Sequence, residues 1–518
     1  MKNEVGRELP DLIKGLKKYR PYRGLFIEPD MPIHMIGRTL HTGKKNECKI
    51  LPSLVEAVKA VNLKDGMTIS FHHHFRNGDY VVKLVMAAIA KCGIKDITIA
   101  SSSLNDCHDF LIDYIENGTV TAIETSGLRG KLGAYLTNHP RKLKHPVIIR
   151  SHGGRARAIE SGELKIDVAF MGVPTCDKFG NATGQMGKSA CGSLGYAMVD
   201  TMFAEKVVLI TDNLIDGYVY PYSISQTNVN YIVKVNEIGD PQGIASGILR
   251  LTKNPVKLML AKTAEKVIEY SGYFKNGFSI QLGGGGASLA VSQFLRNSML
   301  KEHIKGGFGV GGITGVFSNM LEEGLFEICY DAQTFDTTAI QSLKNNSNHV
   351  EISTSFYANP WNAGPIINDL DIVILGATEV DLNFNVNVIT NSNGILMGAS
   401  GGHSDIAAAS KLSIIVMPLI RGRLPMIKDN VQNIVTPGSS IDVIVTDRGI
   451  AVNPRRKDLS IRLNKAGLPI VSIEELQAIA QKLVGKPQNI NLSHDDNDIV
   501  AIIEYRDGSL IDVVRKPL

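Results

Sequence analysis

The feature that most limits what this chain can fold into is that it is written twice. Asp167 opens Asp-Val-Ala-Phe-Met-Gly172, and Val-Pro-Thr-Cys-Asp177-Lys-Phe-Gly-Asn181 follows. Asp371 opens Asp-Ile-Val-Ile-Leu-Gly376, and Ala-Thr-Glu-Val-Asp381-Leu-Asn-Phe-Asn385 follows. Glycine, aspartate and asparagine recur at one offset of 204 residues. Each block runs on through an alanine- and glycine-rich stretch to an apolar run, Lys206–Thr211 in one copy and Lys411–Val416 in the other. Earlier segments correspond too. Asp65–Phe71 leads through a polar loop into amphipathic Tyr80–Ile89, and Asn276–Leu282 leads through Gly283–Gly286 into Ala287–Leu295. Each reads as a strand, a tight loop and a helix. Near-continuous apolar strands alternating with helices call for parallel sheets covered on both faces.

The expected fold is therefore α/β, with two tandem duplicated domains of mainly parallel sheet at about residues 50–240 and 241–460. Residues 1–49 form an N-terminal extension. In the tail, 461–518, Ile473–Val484 reads as a helix, and Asp507-Gly508 signals a type I′ hairpin between Ile499–Tyr505 and Ser509–Val514. The tail is expected to pack on the second domain.

Composition narrows the function classes. The length of 518 residues is too great for one core, and 44% hydrophobic with 20% charged residues excludes global disorder. A net charge of +4 is small, and the basic residues are scattered apart from short clusters such as Arg455–Lys457. Nucleic acid is not the expected partner. A mild cationic excess suits an anionic substrate. The six cysteines form no CxxC pair, which suits a reduced, intracellular protein without structural zinc. The first residues are polar, and the longest apolar run, Leu412–Ile420, is broken by Ser413 and Pro418. No membrane association is expected, and the expected location is cytoplasmic.

Ligands of such folds bind at the carboxyl ends of parallel strands. The loops of interest follow Phe71, Ala100, Leu282, Gly309 and Leu375. Gly283-Gly284-Gly285-Gly286 lets backbone N–H groups approach a ligand at a helix N-terminus. Gly311-Gly312-Ile-Thr314-Gly315 and Ser400-Gly401-Gly402-His403 are further glycine-rich loops. Together they suit a long ligand and donors for an oxyanion. None matches the dinucleotide or nucleotide-phosphate fingerprints. The first-half counterpart of the tetraglycine is His72-His73-His74-Phe75-Arg76. Adjacent histidines in a loop rarely converge on one metal, so no metal is assigned. Arg76 and the histidines read instead as carboxylate donors. Ser101-Ser102-Ser103 ends the next strand and matches the Gly311–Thr314 loop. Arg150–Arg155 reads equally well as a ligand loop or a solvated turn.

The duplicated halves, with Gly-x4-Asp-x3-Asn in each, resemble the coenzyme A transferase superfamily. Gly283–Leu295, Gly311–Asp336, Gly398–Pro418, Met320–Phe326 and Thr125–Gly133 are similar to the citrate lyase alpha subunit family, and the resemblance spans nearly the whole chain. It implies conversion of acetyl-acyl-carrier-protein and citrate to citryl-acyl-carrier-protein and acetate. It also implies an oligomeric complex with a beta subunit, which cleaves the citryl thioester to oxaloacetate, and a gamma subunit, the acyl carrier protein. No tightly bound cofactor is implied in this chain. It would act on the carrier's phosphoribosyl dephospho-coenzyme A arm, with acetyl-coenzyme A as a surrogate.

Class I transferases of the superfamily carry a nucleophilic glutamate in a Glu-x-Gly loop. The matching loop here is Gly311–Gly315 and holds no carboxylate, while Glu322 and Glu323 come later, in an expected helix start. Direct attack by citrate through a mixed anhydride is the expected route. Gly284, Gly285, Gly286, Gly311 and Gly312 are then the oxyanion candidates. Gly283, Thr314, Ser400, Gly401, Gly402 and His403 are candidates for the thioester, and His72–His74, Arg76 and Ser101–Ser103 for citrate. The alternatives are a transferase with a covalent glutamyl thioester on Glu322 or Glu323, and a non-catalytic ligand sensor. Sensors of this fold usually carry one copy and often a DNA-binding helix, whereas this chain has two copies and no basic recognition helix.

Overall fold

Two sheets, each with a parallel core, share one strand order. In the first, the strands are β1 (Thr68–Phe71), β2 (Ile97–Ser101), β3 (Val120–Thr125), β4 (Val147–Ile149), β5 (Val168–Gly172), β6 (Lys206–Thr211) and β7 (Tyr231–Lys234). In the second they are β8 (Ile280–Leu282), β9 (Gly306–Ile313), β10 (Phe326–Thr334), β11 (His349–Glu351), β12 (Ile372–Leu375), β13 (Leu412–Val416) and β14 (Val443–Thr446), with β15 (Gly449–Val452) antiparallel beyond β14. The spatial order is β4-β3-β2-β1-β5-β6-β7 in one and β11-β10-β9-β8-β12-β13-β14 in the other. Every neighbouring pair in both runs is parallel. This computed structural model describes residues 2–15, 19–25, 43, 46–245, 252–283, 286–487 and 490–518. None of its helices is long and apolar enough to cross a membrane.

The repeated polar residues hold the repeated backbone. Asp167 accepts the N–H of Thr68 at 2.9 Å, and Asp371 accepts that of Ser279 at 3.0 Å. Each ties a loop before the second crossover to the start of its central strand. Asp177 accepts the N–H groups of Phe179, Gly180 and Asn181, and the Asn181 amide donates to its other oxygen. Asp381 does the same with Asn383 and Asn385. The Asp-x3-Asn motif is thus a self-bonded turn. It marks the fold.

The tail divides between the halves, contrary to the expectation that it packs on the second. The helix Ile473–Val484 does lie there, with Ile473, Leu476 and Ala480 in a second-half core. The hairpin β16 (Ile499–Glu504) and β17 (Ser509–Arg515) instead extends the first sheet, with β16 parallel to β4. Ile503, Ile511 and Val514 bury in the first core. Strand β4 would otherwise present an open edge, which sheets avoid. The turn also differs from type I′. Gly508 N–H bonds Tyr505 O at 2.9 Å, and of the central residues only Gly508 has positive φ (84°), giving a three-residue loop with a glycine bulge. The N-terminal extension closes the outer side, with Arg20–Pro21 pairing along β17 and Arg7 on Asp512.

Candidate active site between the halves

In each sheet the chain moves outward from its first strand and then returns to the other side of it. The crevices lie between β1 and β5 and between β8 and β12, where α/β ligands bind. The two are built differently. In the first, His72 Nε2 donates to Gly172 O at 2.6 Å while its Nδ1 accepts the His74 N–H at 3.2 Å. That pattern fixes a neutral imidazole, and burial holds its pKa down. A Cβ at Gly172 would meet the Phe75 ring at 2.4 Å. The first crevice is filled by its own loop. In the second, Gly283 N–H continues onto Ile374 O at 3.1 Å, and Gly286 opens a helix of 17 residues. A Cβ at Gly376, the counterpart of Gly172, would meet no described residue within 4 Å. Gly284 and Gly285 lie outside the described residues.

Across the interface the loops meet at a cluster of rings. His73 Nδ1 lies 2.6 Å from Ser102 Oγ, which also accepts the His73 N–H. The ring packs on Tyr196 (centroids 4.5 Å apart) and His152 (5.6 Å). From the second half, Gln281 and Tyr357 bond each other at 2.9 Å. Gly401 accepts the His152 N–H through its carbonyl at 2.8 Å. A Cβ on Gly401 or Gly402 would approach His152 Nε2 (3.7 Å) or Tyr357 Oη (2.9 Å) respectively. Burial pushes His73 well below the usual imidazole range and His152 down to about 3, helped by Arg155 and Arg129. Both are neutral at physiological pH.

Several expected site residues have polar groups engaged within the protein. Arg76 does not face an open cleft. Its guanidinium donates to Thr334 O (2.5 Å) and Phe335 O (2.7 Å) and lies over the Phe335 ring, so it clamps the halves together. His74 Nε2 accepts the Tyr196 N–H at 3.2 Å. His403 uses both nitrogens, on Thr436 Oγ1 (2.6 Å) and Gly376 O (2.9 Å), and burial lowers its pKa to about 4. Thr314 caps a helix by accepting the Phe317 N–H. Gly311 and Gly312 belong to β9 and not to a loop. A Cβ there would strike Gln281 at 2.6 Å and Phe335 at 2.0 Å, and Gly311 has φ of 106°. Ser101 Oγ bonds Ser103 O, and Ser102 is taken by His73. Ser400 N–H crosses to Ser126 O at 2.8 Å. Arg150–Arg155 is no solvated turn either. Ser151 caps the helix His152–Glu160, Arg150 is buried on Glu124 and Glu504, and Arg155 is buried on Asp200.

Glu322 and Glu323 are exposed at the far end of the helix that Thr314 caps. Glu323 pairs with Arg296 at 2.6 Å, and Glu322 accepts from Asn346 at 2.8 Å. Eight residues of helix separate them from its Thr314 end by about 12 Å.

The sequence reading assigned no part to Arg129, Tyr196, Gln281 or Tyr357. Arg129 is exposed and donates through Nη1 to Asn105 (3.1 Å) and Ser103 (3.3 Å), beside His73 and His152. Gln281 had a usable signal, a polar residue inside a buried apolar strand. Among the described residues no three His, Cys, Asp or Glu side chains converge as a metal site.

Residues 47–517 match the family model "citrate lyase, alpha subunit (CitF)". The citrate lyase alpha chain of Klebsiella pneumoniae is 54% identical over 473 residues, covering 91% of this chain and 92% of that one. A crystal structure from Streptococcus mutans, described as the alpha subunit of citrate lyase in complex with citrate, superposes with a TM-score of 0.95 at 50% identity over 100% of both chains. The alpha subunit of a malonate decarboxylase from Acinetobacter baumannii shares the fold alone, with a TM-score of 0.60 at 13% identity over 85% of this chain and 94% of that one. With matching sequence over nine-tenths of its length and the same paired sheets, this chain belongs to the citrate lyase alpha subunit family.

Proposed function

We propose that the chain transfers a thioester arm from acetate to citrate, with the thioester seated in the open second-half crevice and citrate held from the first half. The carrying observation is that a Cβ at Gly172 would strike Phe75, whereas one at Gly376 would meet no described residue within 4 Å. The thioester carbonyl lies toward the helix that begins at Gly286, whose N-terminus favours negative charge. Arg129, with Nη1 held by Asn105 and Ser103, offers citrate the rest of its guanidinium, and His73 offers a donor. Ser102, already accepting the His73 N–H, gives its own proton to Nδ1 and leaves Nε2–H for the ligand.

A carboxylate oxygen of citrate attacks the acetyl carbonyl carbon. The tetrahedral oxyanion collapses, the C–S bond breaks, and a mixed anhydride and a thiolate remain. The thiolate attacks the citryl carbonyl, the C–O bond on that side breaks, and acetate departs with an oxygen that came from citrate. No proton changes hands overall, so neutral histidines suffice. The protein's part is to hold two acyl groups together, stabilise the oxyanion and exclude water. One oxyanion donor is worth about 3–4 kcal/mol.

In this reading the partners are the beta subunit, which cleaves the citryl thioester, and the gamma subunit, the acyl carrier protein. The purified chain should release acetate from acetyl-coenzyme A when citrate is added, without forming oxaloacetate. Oxaloacetate made by this chain alone, or citrate-independent acetate release, would refute the reading.

A further inference from the structure

The first half carries an apolar groove that the transfer chemistry does not use. It has a volume of about 930 Å³ and lies between the helices Leu54–Ala60 and Val81–Lys91 and the end of β7. Val55, Leu84, Ala87 and Val235 line it and are only partly buried or exposed, and Tyr80 at its head is 41% exposed. Lys83, Lys91 and Lys234 stand along the edges, all exposed, with Glu237 the one acidic group lining it. None of the three lysines has a carboxylate partner among the described residues. An apolar floor between unpaired cations fits an amphipathic helix whose flanks are acidic.

The head of the groove lies next to the loop that joins the two halves. Tyr80 at that head follows Arg76 by four residues, and Arg76 reaches across to Thr334 and Phe335. The helix of 11 residues forming one wall runs about 16 Å from there. A domain seated on it could pass a tethered arm between the halves over the Arg76 loop.

We propose that this groove docks an acidic amphipathic helix of the acyl carrier protein. The proposal rests on the function given above and deepens it by naming where the arm's owner sits. A small free donor needs no docking surface, so the two levels separate. In the triple variant Lys83→Glu, Lys91→Glu, Lys234→Glu, transfer from free acetyl-coenzyme A to citrate should stay within twofold of the parent. The KM for acetylated carrier protein should rise at least about tenfold, and the parent's KM for the carrier should climb with salt while the variant's does not. Calorimetric titration of carrier protein into the chain gives the affinity without any turnover. It should show the same loss, and Leu84→Asp should reproduce it. Unchanged carrier affinity in the triple variant would overturn the docking site, and equal losses with both donors would overturn it as well. A parent chain that binds carrier through the lysines yet transfers nothing would leave the groove assigned and refute the catalytic reading instead.

Discussion

The two crevices sit at the same place in the same strand order and differ in the loops that border them. A histidine holds the carbonyl in both, His72 at Gly172 and His403 at Gly376, but a Cβ at Gly172 would strike Phe75 whereas one at Gly376 would meet no described residue within 4 Å. Strand order, the Asp-x3-Asn turns and the aspartates beside the central strands are the same in both halves. The loops after the central strands differ: three histidines in one, four glycines in the other. A duplicated fold needs both copies of the scaffold but only one open pocket. The second copy is then free to supply a wall, and here that wall carries His73, His152 and Arg129.

The sharpest way to break this comparison is to make the two crevices alike. Gly376→Val adds bulk where none is opposed, so the melting temperature should hardly move, while transfer should fall by about a hundredfold or more because the thioester is displaced. Gly172→Val should do the reverse. Its new atoms meet Phe75 and Val81, costing about 1–3 kcal/mol of stability, measurable by denaturant titration. Retained activity in Gly376→Val would show that the open crevice is not the thioester site.

The two arginines offer a second contrast. Arg129→Ala should raise the citrate constant about tenfold to a hundredfold, the loss of a charge-assisted carboxylate fork, and leave that for acetyl-coenzyme A unchanged. Arg76→Ala should instead weaken the clamp on Thr334 and Phe335, lowering stability and both apparent affinities together. Separate titrations of each ligand distinguish the two patterns.

Acid should expose the buried imidazoles. His403 is held at about 4, against about 6.5 in an unfolded chain. Between those values the unfolded state binds the extra proton, so this contribution to stability is full above pH 6.5 and is lost as pH falls toward 4. The burial-raised pKa of Glu351, about 7, works with the opposite sign, adding stability as pH falls from 7 toward the ordinary carboxylate value. A difference measurement isolates the histidine. The stability gap between the parent and His403→Gln should shrink by roughly 2 kcal/mol between pH 7 and pH 5. A constant gap would mean that His403 takes up its proton over the same pH range in the fold as in the unfolded chain.

The smallest effect should come from the displaced carboxylates. Glu322→Gln and Glu323→Gln should each keep transfer within about twofold, since an exposed pair such as Glu323–Arg296 is worth at most about 1 kcal/mol. Loss of turnover with folding intact would favour a glutamyl intermediate.

Much of the architecture was legible in the sequence because its signals are periodic and local. Ile473–Val484 and Lys206–Thr211 stand where their patterns put them. The tail hairpin was misplaced because an apolar strand does not state which edge it will cover, and β4 was the one left open. The site was read less well for a related reason. Residue type marks Arg76 and His403 as ligand donors, but their partners, backbone carbonyls and a threonine hydroxyl, are brought in by tertiary structure. Tyr196 and Tyr357 look like ordinary core aromatics until the two halves are placed face to face.

The most direct test of the account is a single turnover with citrate carrying oxygen-18 in its carboxylates. If the Gly311–Gly315 strand end truly lacks a nucleophile, citrate itself must attack, and the first acetate released must contain one labelled oxygen. Unlabelled acetate in that first turnover, with the label appearing in the protein, would show an enzyme carboxylate between the two acyl groups and contradict direct transfer.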